Sequence, residues 1–186
     1  MILIGKTCAG KDLIAKNLAI KHGFQRVVTY TTRPRRNGEK EGIDYHFITE
    51  DEFLEKINEG FFAEYRSYNA SGGKWYYGSS IESYESIKDD ENYIVILNPD
   101  GYRNFLERVF VKHKSFYIYA NNRTIVNRLK KRKDKNDSIQ RRIKSDDEDF
   151  RGLEGKVHKV IYNNDELNIN EVVGNILQHM EVDEYQ

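Results

Sequence analysis

The period of the apolar positions changes several times along the 186 residues, and each change marks an element. Residues 2 to 4 (Ile-Leu-Ile) form a short continuous apolar run, the pattern of a strand buried on both faces. A glycine-bounded loop follows, and then apolar positions 13, 14, 18 and 19 predict a helix over 11 to 22, stopped near His22-Gly23. Residues 25 to 30 predict a second short strand. From 31 to about 80 the pattern breaks into short alternating pieces rich in glycine and tyrosine, with one helix near 50 to 58. Helical sequence is expected at 80 to 90. Strands are expected at 93 to 97, 115 to 120 and 157 to 162, each followed by a helical stretch. Strands and helices alternating in this way need crossover connections, which give a parallel sheet covered by helices on both faces. Ligands of such sheets gather at the carboxyl ends of the strands, which here carry Gly5, Thr29, Asp100 and Ala120-Asn121. No internal repeat or low-complexity linker interrupts the pattern.

The loop after the first strand reads Gly5-Lys6-Thr7-Cys8-Ala9-Gly10-Lys11-Asp12. Strand, loop and helix in this order suit a polyphosphate. Backbone N–H groups of the loop and helix N-terminus point at the phosphates, the two glycines allow a tight path, and Lys11 reaches the terminal phosphates. The match to G-x-x-x-x-G-K-[ST] fails at its last place, where Asp12 stands. A second anion-directed stretch runs from Thr29 to Phe47, with Arg33, Arg35 and Arg36 among threonines and glycines, and Tyr45 beyond them. Guanidinium forks match phosphate oxygens two at a time, so the cluster reads as a phosphate clamp or as a solvated basic loop. A third basic stretch, 123 to 144, holds ten Lys or Arg against two acids, Asp134 and Asp137. It is open to three readings: a solvated helical hairpin balanced by Asp146-Asp147-Glu148-Asp149, a nucleic-acid patch, or a mobile lid. The run lacks aromatic residues for base stacking, which disfavours the patch.

Composition narrows the classes. Lys plus Arg and Asp plus Glu are both 30, and a zero balance argues against a protein whose main task is gripping nucleic acid. One cysteine excludes an internal disulfide, no basic-then-apolar leader is visible, and no apolar run approaches the roughly 20 residues of a membrane span. The expectation is a single soluble, cytoplasmic domain with no nucleic-acid or membrane partner, as monomer or homodimer.

Taken together, the motifs resemble the guanylate kinase family. Thr31-Thr32-Arg33, Arg36, Glu39, Gly42 and Tyr45-His46-Phe47 carry its signature with the spacing intact. Similar segments follow: Phe53 to Ile57, Gly60 to Tyr65, Trp75-Tyr76-Tyr77-Gly78-Ser79, Ile94 to Asp100, Arg128 to Arg142, and Val160 to Asp165. The resemblance implies an α/β P-loop NTPase three-layer fold with a parallel core sheet (1–30, 81–125, 150–186), an inserted nucleoside monophosphate-binding subdomain (31–80) and a helical lid (126–149). It implies transfer of the γ-phosphoryl of Mg-ATP to GMP or dGMP, with closure on binding both nucleotides. Gly5, Thr7, Cys8, Ala9, Gly10, Lys11, Asp12 and Arg128 would hold the donor. Arg33, Arg36, Tyr45 and Tyr77 would hold the acceptor phosphate, with Glu39 orienting Arg36. Thr29, Glu64 and Ser79 would read the base. Lys11, Arg132 and Arg142 would act on the phosphoryl group in flight. Asp100 would serve the acceptor side, and Asp12 and Asp100 would ligate Mg2+.

Three departures from the family pattern stand out. Asp12 replaces a Ser or Thr, Asn98 replaces the first Asp of an Asp-x-Asp pair, and residues 69 to 74 form a short insertion. The first two suggest that one metal-directed carboxylate has moved from strand end to loop. Cys8 replaces a family glycine, and is read either as an inert loop side chain or as a thiolate favoured by its surroundings. Two rival functions remain on the sequence: a guanylate-kinase-like module that binds phosphorylated peptides without catalysis, and a kinase for other nucleoside or deoxynucleoside monophosphates.

Overall fold

The computed structural model describes residues 1–70, 73–87, 92–108, 113–132 and 139–181, with the side chains of residues 70 and 132 excepted. The residues divide into two compact units, Met1–Arg26 with Ile94–Pro99 and His113–Gln186, and Val27–Tyr93 with Asp100–Lys112.

The first unit is built on a five-stranded sheet. Its strands are β1 (Ile2–Ile4), β2 (Gln25–Arg26), β7 (Tyr93–Leu97), β8 (Ser115–Tyr119) and β9 (Lys159–Tyr162), in the order β2-β7-β1-β8-β9. β1 runs parallel to β7 and β8, and β8 parallel to β9. Ile2, Leu3 and Ile4 are all fully buried, as an uninterrupted apolar run in a sheet covered on both faces requires. Leu3, Phe116, Ile118 and Ile161 form one core with Ile14 and Leu18 of α1 (Lys11–His22), Ile125 and Leu129 of α5 (Asn122–Arg132), and Val172 and Ile176 of α7 (Ile169–Glu181). Tyr117 faces the other way and stacks on Phe150, just after α6 (Ile139–Asp149), at 5.7 Å between ring centroids. The expected stripe on α1 is shifted. Ile14, Ala15 and Leu18 are buried, whereas Leu13 is exposed, because α1 enters its helix from a left-handed Gly10 that sets the facing of its first turn.

The second unit carries a four-stranded sheet, β3 (Tyr30–Thr31), β4 (His46–Phe47), β5 (Phe62–Ala70) and β6 (Gly73–Ser80), in the order β4-β3-β6-β5. β3 is parallel to β4, while β3/β6 and β5/β6 are antiparallel. Helix α2 (Glu50–Asn58) begins at a capping box in which the Thr49 hydroxyl accepts from Glu52 N–H and the Glu52 carboxylate accepts from Thr49 N–H. Phe53 of α2 is fully buried and stacks on Phe62 at 4.3 Å, filling one face of this sheet. α3 (Ile81–Glu85) and the body of α4 (Pro99–Arg108) meet through Tyr84 and Phe105, with ring centroids 5.2 Å apart. The strand expected over 25 to 30 is therefore two strands in two sheets, Gln25–Arg26 and Tyr30–Thr31, and the helix expected over 80 to 90 is shorter, Ile81–Glu85, ending in a turn at Ser86 and Ile87, with 88–90 outside the described residues.

Candidate functional site

In the first unit, the loop from Gly5 to Gly10 links β1 to α1. It comes so close to β8 that a β-carbon on Gly5 would lie 2.6 Å from the Ile118 carbonyl oxygen. Gly10 turns at φ 100°, and a β-carbon there would meet the Asn163 Nδ2 at 2.3 Å. That amide donates to the Ala9 carbonyl at 2.7 Å and so clamps the loop. Cys8 is the one described non-glycine residue with positive φ, 59°. A left-handed turn at this position explains why a glycine would suit it better than the cysteine this chain carries. Helix α1 has no side-chain cap, so its first-turn amides are not claimed by a capping side chain.

Three groups converge on this loop. Lys11 Nζ donates to the carbonyls of Gly5 (2.5 Å) and Lys6 (3.0 Å). Arg128 of α5 donates to the carbonyls of Cys8 (3.2 Å), Ala9 (3.4 Å) and Asn163 (3.0 Å), and its Nε lies 3.3 Å from Asp165. From α6, Asp146 accepts the Thr7 N–H at 2.8 Å, and Asp147 pairs with Lys6. Burial raises the Asp146 pKa, against the pull of Thr7, Lys11 and Lys6. Asp12 is largely exposed and pairs with Arg26 at 3.1 Å, while Asn98 is buried at the end of β7. Arg142 sits half-buried on α6. The side chain of Arg132 and the centre of the expected lid, 133–138, lie outside the described residues.

In the second unit, the face of the sheet opposite Phe53 carries a polar array. Arg33 is 3% exposed. Its Nη2 donates to both Glu39 oxygens (2.8 and 3.0 Å), its Nη1 to the Pro34 carbonyl (2.7 Å), and its guanidinium lies 5.3 Å from the Tyr45 ring centroid. Burial opposes the charge on Arg33, but the Glu39 hydrogen bond together with the charges of Tyr77, Glu39 and Tyr45 outweighs it and raises the pKa. Glu39 is pulled below its ordinary range, again against burial, by Arg33 and by the Arg36 N–H, which donates to it at 2.8 Å. Glu39, expected to orient Arg36, meets it at the backbone N–H. The Arg36 guanidinium is 4.0 Å away, and the closer side-chain partner is Arg33. Tyr77 faces Tyr45 at 6.1 Å between centroids.

Farther along the same face, Glu64 pairs in register with Ser79, and both are buried. Burial raises the Glu64 pKa, opposed by the charge of Arg66 and by the neighbouring Ser79. Thr29 is buried at the entry to β3, and its carbonyl accepts the His46 N–H at 2.9 Å. Asp100, on the first turn of α4, pairs with Arg103. Sequence reasoning missed Asp146, Asp147 and Asn163 around the loop and Arg66 beside Glu64. The acidic residues carried only the signal of a charge run, and Asn163 only that of a strand end.

A five-stranded sheet whose four strands β7, β1, β8 and β9 run parallel, with a glycine-bounded loop between its first strand and first helix, is the P-loop NTPase fold, here with an additional mixed sheet. The guanylate kinase family model matches residues 1–181, and the chain belongs to the guanylate kinase family, a family of nucleoside monophosphate phosphotransferases. The guanylate kinase of Fusobacterium nucleatum is 31% identical over 166 residues, 88% of this chain and 87% of that protein. The guanylate kinase of Wolinella succinogenes is 38% identical over 110 residues, 58% of this chain and 49% of that one. A crystal structure of guanylate kinase from Anaplasma phagocytophilum shows the same fold, with a TM-score of 0.75 at 23% identity over 100% of this chain and 87% of that one. No helix among the described residues is long and apolar enough to cross a membrane.

Proposed function

We propose that this chain transfers the γ-phosphoryl group of ATP to the phosphate of GMP or dGMP, giving ADP and GDP or dGDP. One observation carries the reading: a single sheet face holds, at one end, a buried arginine fixed by Glu39 beside Tyr45 and Tyr77, and farther along it a buried carboxylate, Glu64, beside Ser79. The first group suits a phosphate. The second suits guanine, whose N1–H and exocyclic amine form a two-donor edge that one carboxylate accepts. Adenine presents a lone pair at N1 and would leave Glu64 facing it.

The roles follow this division. The backbone of Gly5, Thr7, Cys8, Ala9 and Gly10 wraps the donor phosphates, Lys11 adds its charge, and Arg128 braces the loop through its carbonyls. Arg33, Arg36, Tyr45 and Tyr77 hold the acceptor phosphate, with Glu39 as the brace. Thr29, Glu64 and Ser79 read the base, and Asp100 serves the acceptor side. Arg132 and Arg142 stabilise charge on the phosphoryl group in flight, within a lid that spans 126–149. The core and acceptor segments of this reading are 1–30, 81–125 and 150–186, and 31–80. The acceptor phosphate oxygen attacks the γ-phosphorus in line, with no side-chain nucleophile, so alignment and charge stabilisation are the protein's whole contribution.

No cluster of three or more His, Cys, Asp or Glu side chains among the described residues could hold a metal ion unaided. Such a donor set fits Mg2+ in the form it takes with nucleotides, where one or two carboxylates supplement phosphate oxygens and water. Asp12 is the carboxylate nearest the loop in sequence, and Asp100 is the candidate on the acceptor side. Bound with ATP, the ion would neutralise phosphate charge. A coupled ADP-release assay with ATP against GMP, dGMP, AMP, CMP, UMP and dTMP tests the proposal. Turnover confined to GMP and dGMP is expected. Saturable GMP binding without turnover would favour the binding module, and turnover centred on another base would favour the altered kinase.

A further inference from the structure

Arg66 has no part in the roles above, yet it lies among them. It follows Glu64 by two positions on β5, so both side chains leave the same face of the sheet, and it pairs in register with Tyr77. Its guanidinium carbon is 5.0 Å from the Tyr68 ring centroid and 5.6 Å from that of Tyr77. Two aromatic rings therefore hold the guanidinium in place, as cations over π-faces are held. Its Nε and Nη1 are buried and donate to nothing, Glu64 included. Two more buried polar groups of this cluster share that state, the Ser79 hydroxyl and the Tyr84 hydroxyl. Tyr84 is close enough that the Glu64 charge, after burial, raises its phenol pKa.

Buried, unpaired N–H groups on a cation are unfavourable in an isolated protein, and their persistence beside other unpaired polar atoms marks a place made for a ligand. The ligand chemistry follows from the order of the groups. Glu64 offers acceptors, and Arg66, one pleat farther along, offers a rigid fork of donors. The complementary edge has donors followed by acceptors. Guanine has that edge: N2–H and N1–H, then O6 and N7. Arginine pairs with O6 and N7 through its fork, and this is its commonest specific contact with the base.

We propose that Arg66 reads the O6/N7 edge of the guanine whose N1/N2 edge Glu64 accepts, which makes it a second specificity-determining residue of the acceptor site. The inference rests on the GMP reading above. It also predicts a sharper rejection of adenine than Glu64 alone would give, since the adenine amino group would point a donor at the guanidinium.

The test measures kcat/KM for GMP and for 7-deaza-GMP, in which carbon replaces the N7 acceptor, on the full-length wild type, Arg66→Met and Arg66→Lys. The wild type should favour GMP over the analogue by about tenfold, because the analogue leaves one charged donor unpaired. The preference should shrink to within about twofold in both variants, since Met has no donor and Lys has no fork. Equal kcat/KM for the two nucleotides in the wild type overturns the inference without any variant. So does an unchanged preference in the variants. A loss in Arg66→Met shared equally by both nucleotides and restored in Arg66→Lys would show an attraction for phosphate, and overturns it as well. In all three of these outcomes GMP is still a substrate and the proposed function stands. A wild type that neither binds nor turns over GMP overturns both.

Discussion

Cys8 holds a backbone conformation that a β-carbon disfavours, so Cys8→Gly should raise the stability of the free protein by roughly 0.5 to 1 kcal/mol. Chemical denaturation midpoints check this, and an unchanged or lower midpoint would remove strain as the account of the turn. Glu64, proposed to read the base, makes the opposite point. Its folded pKa lies above the ordinary 4.5, so the buried charge is a burden that is absent in acid, grows as pH rises through that value, and is fully developed above the folded pKa. At neutral pH, Glu64→Gln should therefore stabilise the free protein by about 1 kcal/mol or more, while the GMP-over-AMP preference falls about tenfold or more. Loss of preference with a fall in melting temperature would contradict the buried-charge argument. Both residues could be picked out in the sequence by type and place in a motif. The strain at one and the desolvation of the other could not, because each depends on a backbone angle or on neighbours distant in sequence.

At the scale of elements, the turn from Arg33 to Phe47 is held by a carboxylate. The Glu39 pKa is lowered from 4.5, so its stabilising contribution is present above that value and is lost as pH falls through the depressed folded pKa. Between neutral pH and acid, the wild type should lose stability that Glu39→Gln has already lost, and the two stability curves should converge once pH has fallen below the depressed folded pKa. Parallel curves would show that Glu39 is not the group responsible. Helix α2 offers a simpler case. Thr49→Ala removes the hydroxyl that caps Glu52 N–H and should cost about 1 kcal/mol, read as a lower urea midpoint. That helix was legible over 50 to 58 because its apolar spacing and its start are local properties. The strand expected over 25 to 30 was not legible as two. Gln-Arg-Val-Val-Thr-Tyr favours extended structure throughout, but which sheet accepts each half depends on partners at Gly78 and in the five-stranded sheet.

At the scale of the whole molecule, long-range contacts decide what the loop at residues 5 to 10 presents. Asp146 lies 139 residues from Thr7 and accepts its N–H. If the loop binds the donor as proposed, a carboxylate there would compete with the phosphate for the same amide and repel it. Asp146→Asn is therefore expected to tighten ATP binding about tenfold, as read by calorimetry. Weaker binding would show instead that the carboxylate helps hold the nucleotide complex. The sequence by itself determined the alternation of strands and helices, the loop after the first strand, the arginine-threonine stretch from 29 to 47 and the family to which these belong, because each is written in local spacing and residue type. The tertiary structure alone decided that Glu39 braces Arg33 more closely than Arg36, that Asn163 clamps Ala9 beside Gly10, and that the acidic run after α6 begins reaches back to Thr7 and Lys6. It also placed Arg66 beside Glu64 and Tyr77 with donors to spare. Most of these pairings join residues far apart along the chain or across a sheet, the Arg33–Glu39 pair depends on how one turn folds, and burial turns an ordinary polar side chain into one whose partner matters.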